Sequence, residues 1–283
     1  RDALGVGETT CAVVCLVDGL GASAIEDHSE LFPALRDAGG GWVEAPFPST
    51  TATGLATLGT GLPPGRHGML GASFWLPDTQ EVLTPLRWGS SPSPHAVQPE
   101  ATVFERANGF DIDCLSVGPS AYAHSGLTRA AFRGANYLDA ENIEQRAAVI
   151  ARAVEGRHLI YVYWPNLDRA GHEHGVDSDQ WRAAAAHVDE LIDTLRSCLP
   201  GNGRLIVTAD HGMQTVTERL CESGCPQVSR GTATRQSQRP QPSQLRGRVL
   251  AQDSGDDRMC LLGQGMHEVG LEAGRDGDVE EQD

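Results

Sequence analysis

The sequence predicts a three-layer α/β fold, a mostly parallel central sheet with helices on both faces, and three observations lead there. Residues 11–17, 158–164 and 204–209 are continuous apolar runs rich in β-branched or aromatic side chains, the pattern of strands buried on both faces. Segments of helical period separate them, at residues 24–38, 141–155 and 178–198. Each apolar run is followed by acidic or imidazole side chains: Asp18, then Asp168 and His172, then Asp210 and His211. Open α/β sheets place their sites at the carboxyl ends of their strands.

Taken in order, the first strand ends in Asp18-Gly19-Leu20-Gly21, and a helix over 24–38 carries Leu31, Leu35 and Ala38 as its apolar positions. Gly39-Gly40-Gly41 ends that helix, and Trp42–Ala45 is a short strand. Residues 69–76 read as a strand whose Phe74 and Trp75 either pack in the core or floor a pocket. Residues 77–100 are rich in Pro, Ser and polar groups and read as a loop. A short helix over 101–107, a strand over 111–117 and an irregular stretch over 118–137 follow. The helix over 141–155 has Ile143, Ala147, Ile150 and Ala151 on one face. Asp168 and His172 are four residues apart, so one helical turn brings carboxylate and imidazole to the same face, a pairing that suits Zn²⁺, Mn²⁺ or Fe. His174 falls on the other side of that turn.

At 283 residues the chain can bury a large core in one domain, or in one domain with an insertion. Its net charge of −16 argues against a nucleic-acid polymer or an anionic membrane as partner, yet leaves room for a small phosphorylated substrate if a metal supplies local positive charge. All 22 basic residues are Arg, which excludes a catalytic lysine. No apolar run approaches the ~20 residues of a membrane span, and no basic-then-apolar leader precedes the first strand. With seven cysteines, an odd number, reduced thiols and a cytoplasmic location are expected. Cys221 and Cys225 lack a partner pair of metal-site spacing.

The densest stretch is Phe47–Gly68, FPSTTATGLATLGTGLPPGRHG. Ser49, Thr50, Thr51 and Thr53 open it, and small residues follow. Hydroxyls cap free N–H groups at a helix start, and small residues let such a helix pack closely while an anion sits on its positive end. Alone, a Thr cluster of this kind is a capping device. Beside three strand ends that each deliver metal-type ligands, it is a candidate nucleophile.

LVDGLG (16–21), the hydroxyl stretch (47–68), NLDRAGHEHG (166–175) and TADHGM (208–213) together resemble the type I phosphodiesterase/nucleotide pyrophosphatase branch of the alkaline phosphatase superfamily, in order and in spacing. The resemblance covers about two hundred residues, from Cys11 to Met213. It implies an alkaline phosphatase-like fold and two divalent metal ions, usually zinc, flanking a Thr nucleophile. Carried over residue by residue, it places Asp18, Thr51, Asp210 and His211 around the metal on the nucleophile side. It makes Asp168 and His172 two of the three protein ligands of the other metal. Thr51 is the nucleophile by its distance from Thr60-Gly61-Leu62, with Thr50 the competing residue. The implied reaction cleaves a phosphodiester or pyrophosphate bond through a phospho-threonine intermediate; a phosphomonoesterase is the alternative. A sulfatase lacks support, since no C-x-P-x-R or S-x-P-x-R motif is present, and the phosphoglycerate mutase relatives use Ser and a different ligand spacing.

Residues 1–213 are thus expected to form the catalytic core, with 77–137 as an excursion that caps the site and selects the leaving group. After Met213 the text changes to SRGTATRQSQRPQPSQLRGR and an acidic end, with no clear strand, so 214–283 is expected to be a divergent and largely disordered tail. His267 is the remaining histidine downstream and the candidate third ligand of the second metal. A truncated or frame-shifted family member that binds metal with little or no activity is the second reading of the chain.

Overall fold

The computed structural model describes residues 7–37, 41–153, 156–215, 246–253 and 259–260. In chain order the elements are β1 (Cys11–Val17), α1 (Ala22–Asp27), α2 (Pro33–Asp37), β2 (Gly41–Glu44), α3 (Thr51–Thr60) and α4 (Pro64–His67). The β3 (Phe74–Leu76) and β4 (Glu81–Leu83) hairpin, α5 (Pro94–Val97), α6 (Val103–Asn108), β5 (Asp113–Gly118), α7 (Gly126–Ala131) and β6 (Asn136–Asp139) come next. The chain continues with α8 (Ile143–Arg152), β7 (His158–Trp164), α9 (Asn166–His174), α10 (Asp179–Ser197), β8 (Arg204–Thr208), β9 (Arg246–Asp253) and β10 (Met259–Cys260).

Five strands run parallel in the order β6-β5-β7-β1-β8. Beyond β8, β9 pairs antiparallel, and both β2 and β10 pair antiparallel with β9. The alternation of side chains along a strand then builds two cores. Cys11, Val13, Cys15 and Val17 of β1 join Ile160, Val162 and Trp164 of β7 and Leu205 and Val207 of β8 on one face, under α1, α2, α8, α9 and α10. Leu16 and Tyr161 look the other way, onto Ala52 and Leu55 of α3, Phe104 of α6 and Leu127 and Ala131 of α7. Helices on both faces of a mostly parallel sheet are the architecture expected from sequence. Cys11, Cys15 and Cys114 are free and buried, and burial pushes the Cys15 thiol up to about 12, so it is apolar filling.

Several local expectations change. The helix expected over 24–38 is divided into α1, a 3₁₀ turn at Ser29–Leu31 and α2, because Pro33 begins α2 and cannot donate to the turn before it. Only Phe74–Leu76 of residues 69–76 is a strand; Phe74 packs against a small third core around Met69 and Trp88, and Trp75 is exposed. The stretch 118–137, expected to be irregular, contains α7 and the start of β6, the edge of the parallel sheet. Ser125 caps α7, its side chain accepting from the Thr128 N–H. Ala151, placed on the apolar face of α8, is exposed, and Ala153 just beyond the helix is buried instead. Within 214–283, where the sequence suggests no strand, β9 and β10 extend the sheet. Cys221, Cys225 and His267 lie outside the described residues. Among the described residues, no helix is long and apolar enough to cross a membrane.

Candidate active site

The parallel strands β1, β7 and β8 lie side by side, so the residues after them arrive together. A hydrogen bond from the Asp18 N–H to the Trp164 carbonyl (3.0 Å) ties the ends of β1 and β7. Close backbone approach does the rest. A Cβ on Gly21 would sit 2.5 Å from the Gly212 Cα, and one on Gly54 would sit 2.5 Å from the Asp210 Cβ, so neither position has room for a side chain. The first contact seats the Asp210–Met213 segment against the Asp18–Gly21 turn. The second presses the start of α3 onto Asp210.

At the start of α3 the two candidate threonines separate. Thr50 is the N-cap, its Oγ1 accepting from the Thr53 N–H (3.4 Å) and lying 3.1 Å from Thr53 Oγ1. Thr51 is the first helical residue, and its Oγ1 lies 3.1 Å from His211 Nε2. That nitrogen is also 3.3 Å from Asp18 Oδ1 and 3.6 Å from Asp210 Oδ2. One ligand atom from each of Asp18, Asp168 and His211 falls within 4.8 Å of the others. His172 reaches Asp168 Oδ1 at 3.4 Å across one turn of α9, but its side chain is 66% exposed against 12% for His211. His174 is exposed and lies 3.7 Å from its neighbour Glu173. Asp168, placed with the second metal by resemblance, stands beside Asp18 and His211, which the resemblance places with the first.

The carboxylates are held by one edge and open at the other. Asp210 Oδ1 accepts from the N–H groups of His211 (3.0 Å) and Gly19 (3.4 Å), and Asp18 Oδ2 accepts from the Tyr163 hydroxyl. Asp18 Oδ1, Asp210 Oδ2 and Asp168 Oδ1 are buried and accept no hydrogen bond among the described residues. Three buried carboxylate oxygens left without donors, beside an imidazole nitrogen and a hydroxyl, are a hard, anionic donor set that fits a divalent cation.

The titration of the group reflects the same crowding. Burial, then the neighbouring Asp210 carboxylate, push the Asp18 carboxyl well above the usual carboxylate range, against the opposing effects of His211 and the Tyr163 hydrogen bond. Burial raises Asp168 as well, opposed by His211 and His172. Burial alone would lower His211; the carboxylates of Asp210, Asp18 and Asp168 outweigh it and hold the imidazolium up to about 9. At His67 burial wins, against a backbone hydrogen bond that opposes it. Wholly buried in α4, its Nδ1 accepts from the Met69 N–H (3.1 Å), its Nε2 lies 2.9 Å from Thr57 Oγ1, and its pKa drops to about 4.

Sequence reasoning passed over His67 and Tyr163. The Gly-Arg-His-Gly text around His67 looks like a surface turn, whereas Tyr163 sits two residues before Pro165 in a strand whose aromatic character was visible but whose hydroxyl partner was not. Beside Thr51, a narrow cavity of about 60 Å³ is walled by Leu55, Pro85, Leu86, Phe132, Tyr161 and Tyr163 among others, so residues of the 77–137 stretch do border the candidate nucleophile.

The sequence model of the type I phosphodiesterase / nucleotide pyrophosphatase family matches residues 12–225, about three quarters of the chain. Among curated proteins the chain is similar to ectonucleotide pyrophosphatase/phosphodiesterase 1 of Saccharomyces cerevisiae, at 24% identity over 72% of this chain and 34% of that protein. It is also similar to an ectonucleotide pyrophosphatase/phosphodiesterase of Caenorhabditis elegans, at 29% identity over 60% of this chain and 21% of that protein. A shorter match, 34% identity over 70 residues, joins it to ectonucleotide pyrophosphatase/phosphodiesterase family member 7 of Homo sapiens. The chain spans about a third or less of each of these relatives.

Proposed function

Because the chain belongs to the type I phosphodiesterase/nucleotide pyrophosphatase family, we propose that it is a metal-dependent hydrolase cleaving a phosphodiester or pyrophosphate bond of a small substrate through a phospho-threonine on Thr51. The observation that carries this reading is the placement of the Thr51 hydroxyl, 3.1 Å from His211 Nε2, at the edge of a cluster whose buried carboxylate oxygens lack donors.

Asp18, Asp210 and His211, with Thr51, are the residues that would hold a cation on the nucleophile side, and Asp168 with His172 those that would hold a second. Zinc suits this mixture of carboxylate and imidazole. A divalent cation there supplies positive charge that lowers the pKa of the hydroxyl and neutralises phosphate oxygens. The protein does the positioning. Thr50 caps α3 and so fixes the first turn that aims Thr51. Tyr163 holds one oxygen of Asp18, leaving the other turned to the site. Thr51 Oγ1, its proton passed to solvent water, forms its bond to phosphorus as the bond to the leaving oxygen breaks, and the leaving group departs as the anion or takes a proton from water. Water then displaces the phosphoryl group from Thr51 and restores the hydroxyl.

A second reading has its own support. Among the described residues, Asp168 shares its cluster with Asp18 and His211, and His172 meets a single carboxylate, which suits a chain that binds one metal and turns over little. The test is metal content of the purified chain together with hydrolysis of bis-p-nitrophenyl phosphate and p-nitrophenyl phosphate in added zinc. Two metals per chain with diester-biased turnover are expected. Monoester-biased turnover would make it a phosphatase, and one metal or none with neither ester cleaved would support the second reading.

A further inference from the structure

The narrow cavity beside Thr51 does not end at its aromatic wall. A larger cavity of about 310 Å³ adjoins it, and four side chains, Ser116, Thr128, Phe132 and Tyr137, line both. The larger one is lined by Arg129, Arg133 and His95 and by no Asp or Glu, in a chain whose net charge is −16. Arg133 is already engaged: it donates to Glu105 Oε1 (2.9 Å) and to the carbonyls of Gln98 and Glu100. The Arg129 guanidinium has no carboxylate or hydrogen-bond partner among the described residues.

Two further donors along the tract lack a hydrogen-bond partner among the described residues. The Tyr161 hydroxyl in the narrow cavity is buried and has no hydrogen-bond partner among the described residues. The Ser116 hydroxyl, on the shared wall, makes no side-chain hydrogen bond there either, and Arg129 follows in the larger cavity. The buried Tyr161 hydroxyl is costly to leave without an acceptor, so a ligand that brings one gains what the free protein lacks; Arg129 is exposed, and its guanidinium exchanges water for a ligand oxyanion. The phenol lines the cavity that holds Thr51, the Ser116 hydroxyl lines both cavities and the Arg129 guanidinium lines the larger one, with Phe132 and the tyrosines providing apolar surface.

We propose that the two cavities form one binding tract and that Arg129 makes its far end a subsite for an oxyanion, so that the favoured ester carries an aromatic or apolar arm ending in a carboxylate or phosphate. Guanidinium and oxyanion form a charge-assisted, bidentate pair that a neutral arm cannot supply. The proposal rests on Thr51 marking the reacting end of the tract. It goes beyond that reading in assigning what the distal end of the substrate must be.

The test uses the full chain in zinc. Rates are compared for 4-nitrophenyl phosphodiesters whose second arm is benzyl, 4-carboxybenzyl or 4-(phosphonomethyl)benzyl, and calorimetric binding for benzyl phosphate and 4-carboxybenzyl phosphate. An anionic arm should raise kcat/KM and tighten binding by about tenfold. Arg129→Gln should abolish that preference while leaving the benzyl compounds unchanged, and Arg129→Lys should restore part of it. The carboxylate and phosphonate arms distinguish the two oxyanions. Equal handling of charged and neutral arms, or an Arg129→Gln loss that is the same for both, would overturn the proposal. If no diester is cleaved, the hydrolase reading fails, yet the binding comparison still decides the subsite.

Discussion

The two halves of the candidate site are built differently. On the nucleophile side, Asp18, Thr51 and Asp210 are buried and His211 is mostly so, and the group is locked by Tyr163, by backbone N–H groups and by the Gly54 contact. On the other side, Asp168 and His172 ride on α9, and the imidazole stands largely in solvent with one carboxylate for company. The first half comes from three separate places in the chain and is held by packing; the second is local, the product of one helical turn. Geometry assembled from distant segments is pre-formed, because moving one ligand means moving a strand or helix. A local pair costs little to form and is correspondingly soft.

That contrast is broken most directly at the threonines. Thr51→Ala removes the proposed nucleophile and is expected to lower turnover by about a thousandfold or more, with the fold intact. Thr50→Ala removes only a cap and should cost about 1 kcal/mol of stability with modest loss of rate. Phosphodiesterase assays and thermal melts of both variants check this; a Thr51→Ala enzyme with wild-type turnover would remove the residue from the reaction.

The locked half depends on glycines that no ligand pattern reveals. Gly54→Ala drives a methyl to within 2.5 Å of the Asp210 Cβ, and α3 or the Asp210 segment must shift. Overpacking of this kind costs about 1–3 kcal/mol, and here it also displaces Asp210, a proposed ligand, relative to Thr51. The control is Gly65→Ala in α4, where the added methyl meets nothing within 4 Å. Melting temperature and zinc affinity should both fall for Gly54→Ala and hold for Gly65→Ala. If both variants melt as the parent does, the close contact has no energetic weight.

These two predictions show how unevenly the sequence speaks. The buried strands declared themselves by continuous apolar runs, and Asp18, Asp168 and Asp210 by their positions just beyond them. Helix α7 and strand β6 stayed hidden because Ser125–Asp139 is rich in Ala, Gly and Arg and lacks a clean period. Strand β9, RGRVLAQD, has few apolar residues, and its place is set by backbone pairing with β8 and β2. The single helix expected over 24–38 overlooked the break imposed by Pro33. The roles of Tyr163 and His67 depend on what lies opposite them in space, and that is a tertiary fact.

The pH response separates a proton from a cation as the partner of the locked half. In the metal-free chain, His211 is raised to about 9 from an ordinary value near 6.5, so its stabilisation is complete below about 6.5 and is lost as pH rises through about 9. The raised carboxyls of Asp18 and Asp168 act in the same direction, since each favours its protonated form in the folded state. Without metal, the melting temperature should therefore fall between pH 6.5 and 9. A bound cation replaces those protons, so zinc should flatten the alkaline limb and bind more tightly as pH rises. A metal-free chain whose stability climbs over that interval would contradict the ligand cluster.

The soft half should give the smallest effect. His172 is two-thirds exposed, and its 3.4 Å approach to Asp168 Oδ1 is the kind of surface pair worth a few tenths of a kcal/mol. His172→Ala should thus leave the melting temperature of the metal-free chain unchanged within about a degree. If His172 ligates, the same variant should carry about one metal fewer per chain while the ion bound by Asp18, Asp210 and His211 remains. The two measurements together are decisive because a structural histidine would move the first and not the second. Loss of both ions would instead tie His172 to the locked half through Asp168, whose oxygen lies close enough to Asp18 and His211 to serve either metal.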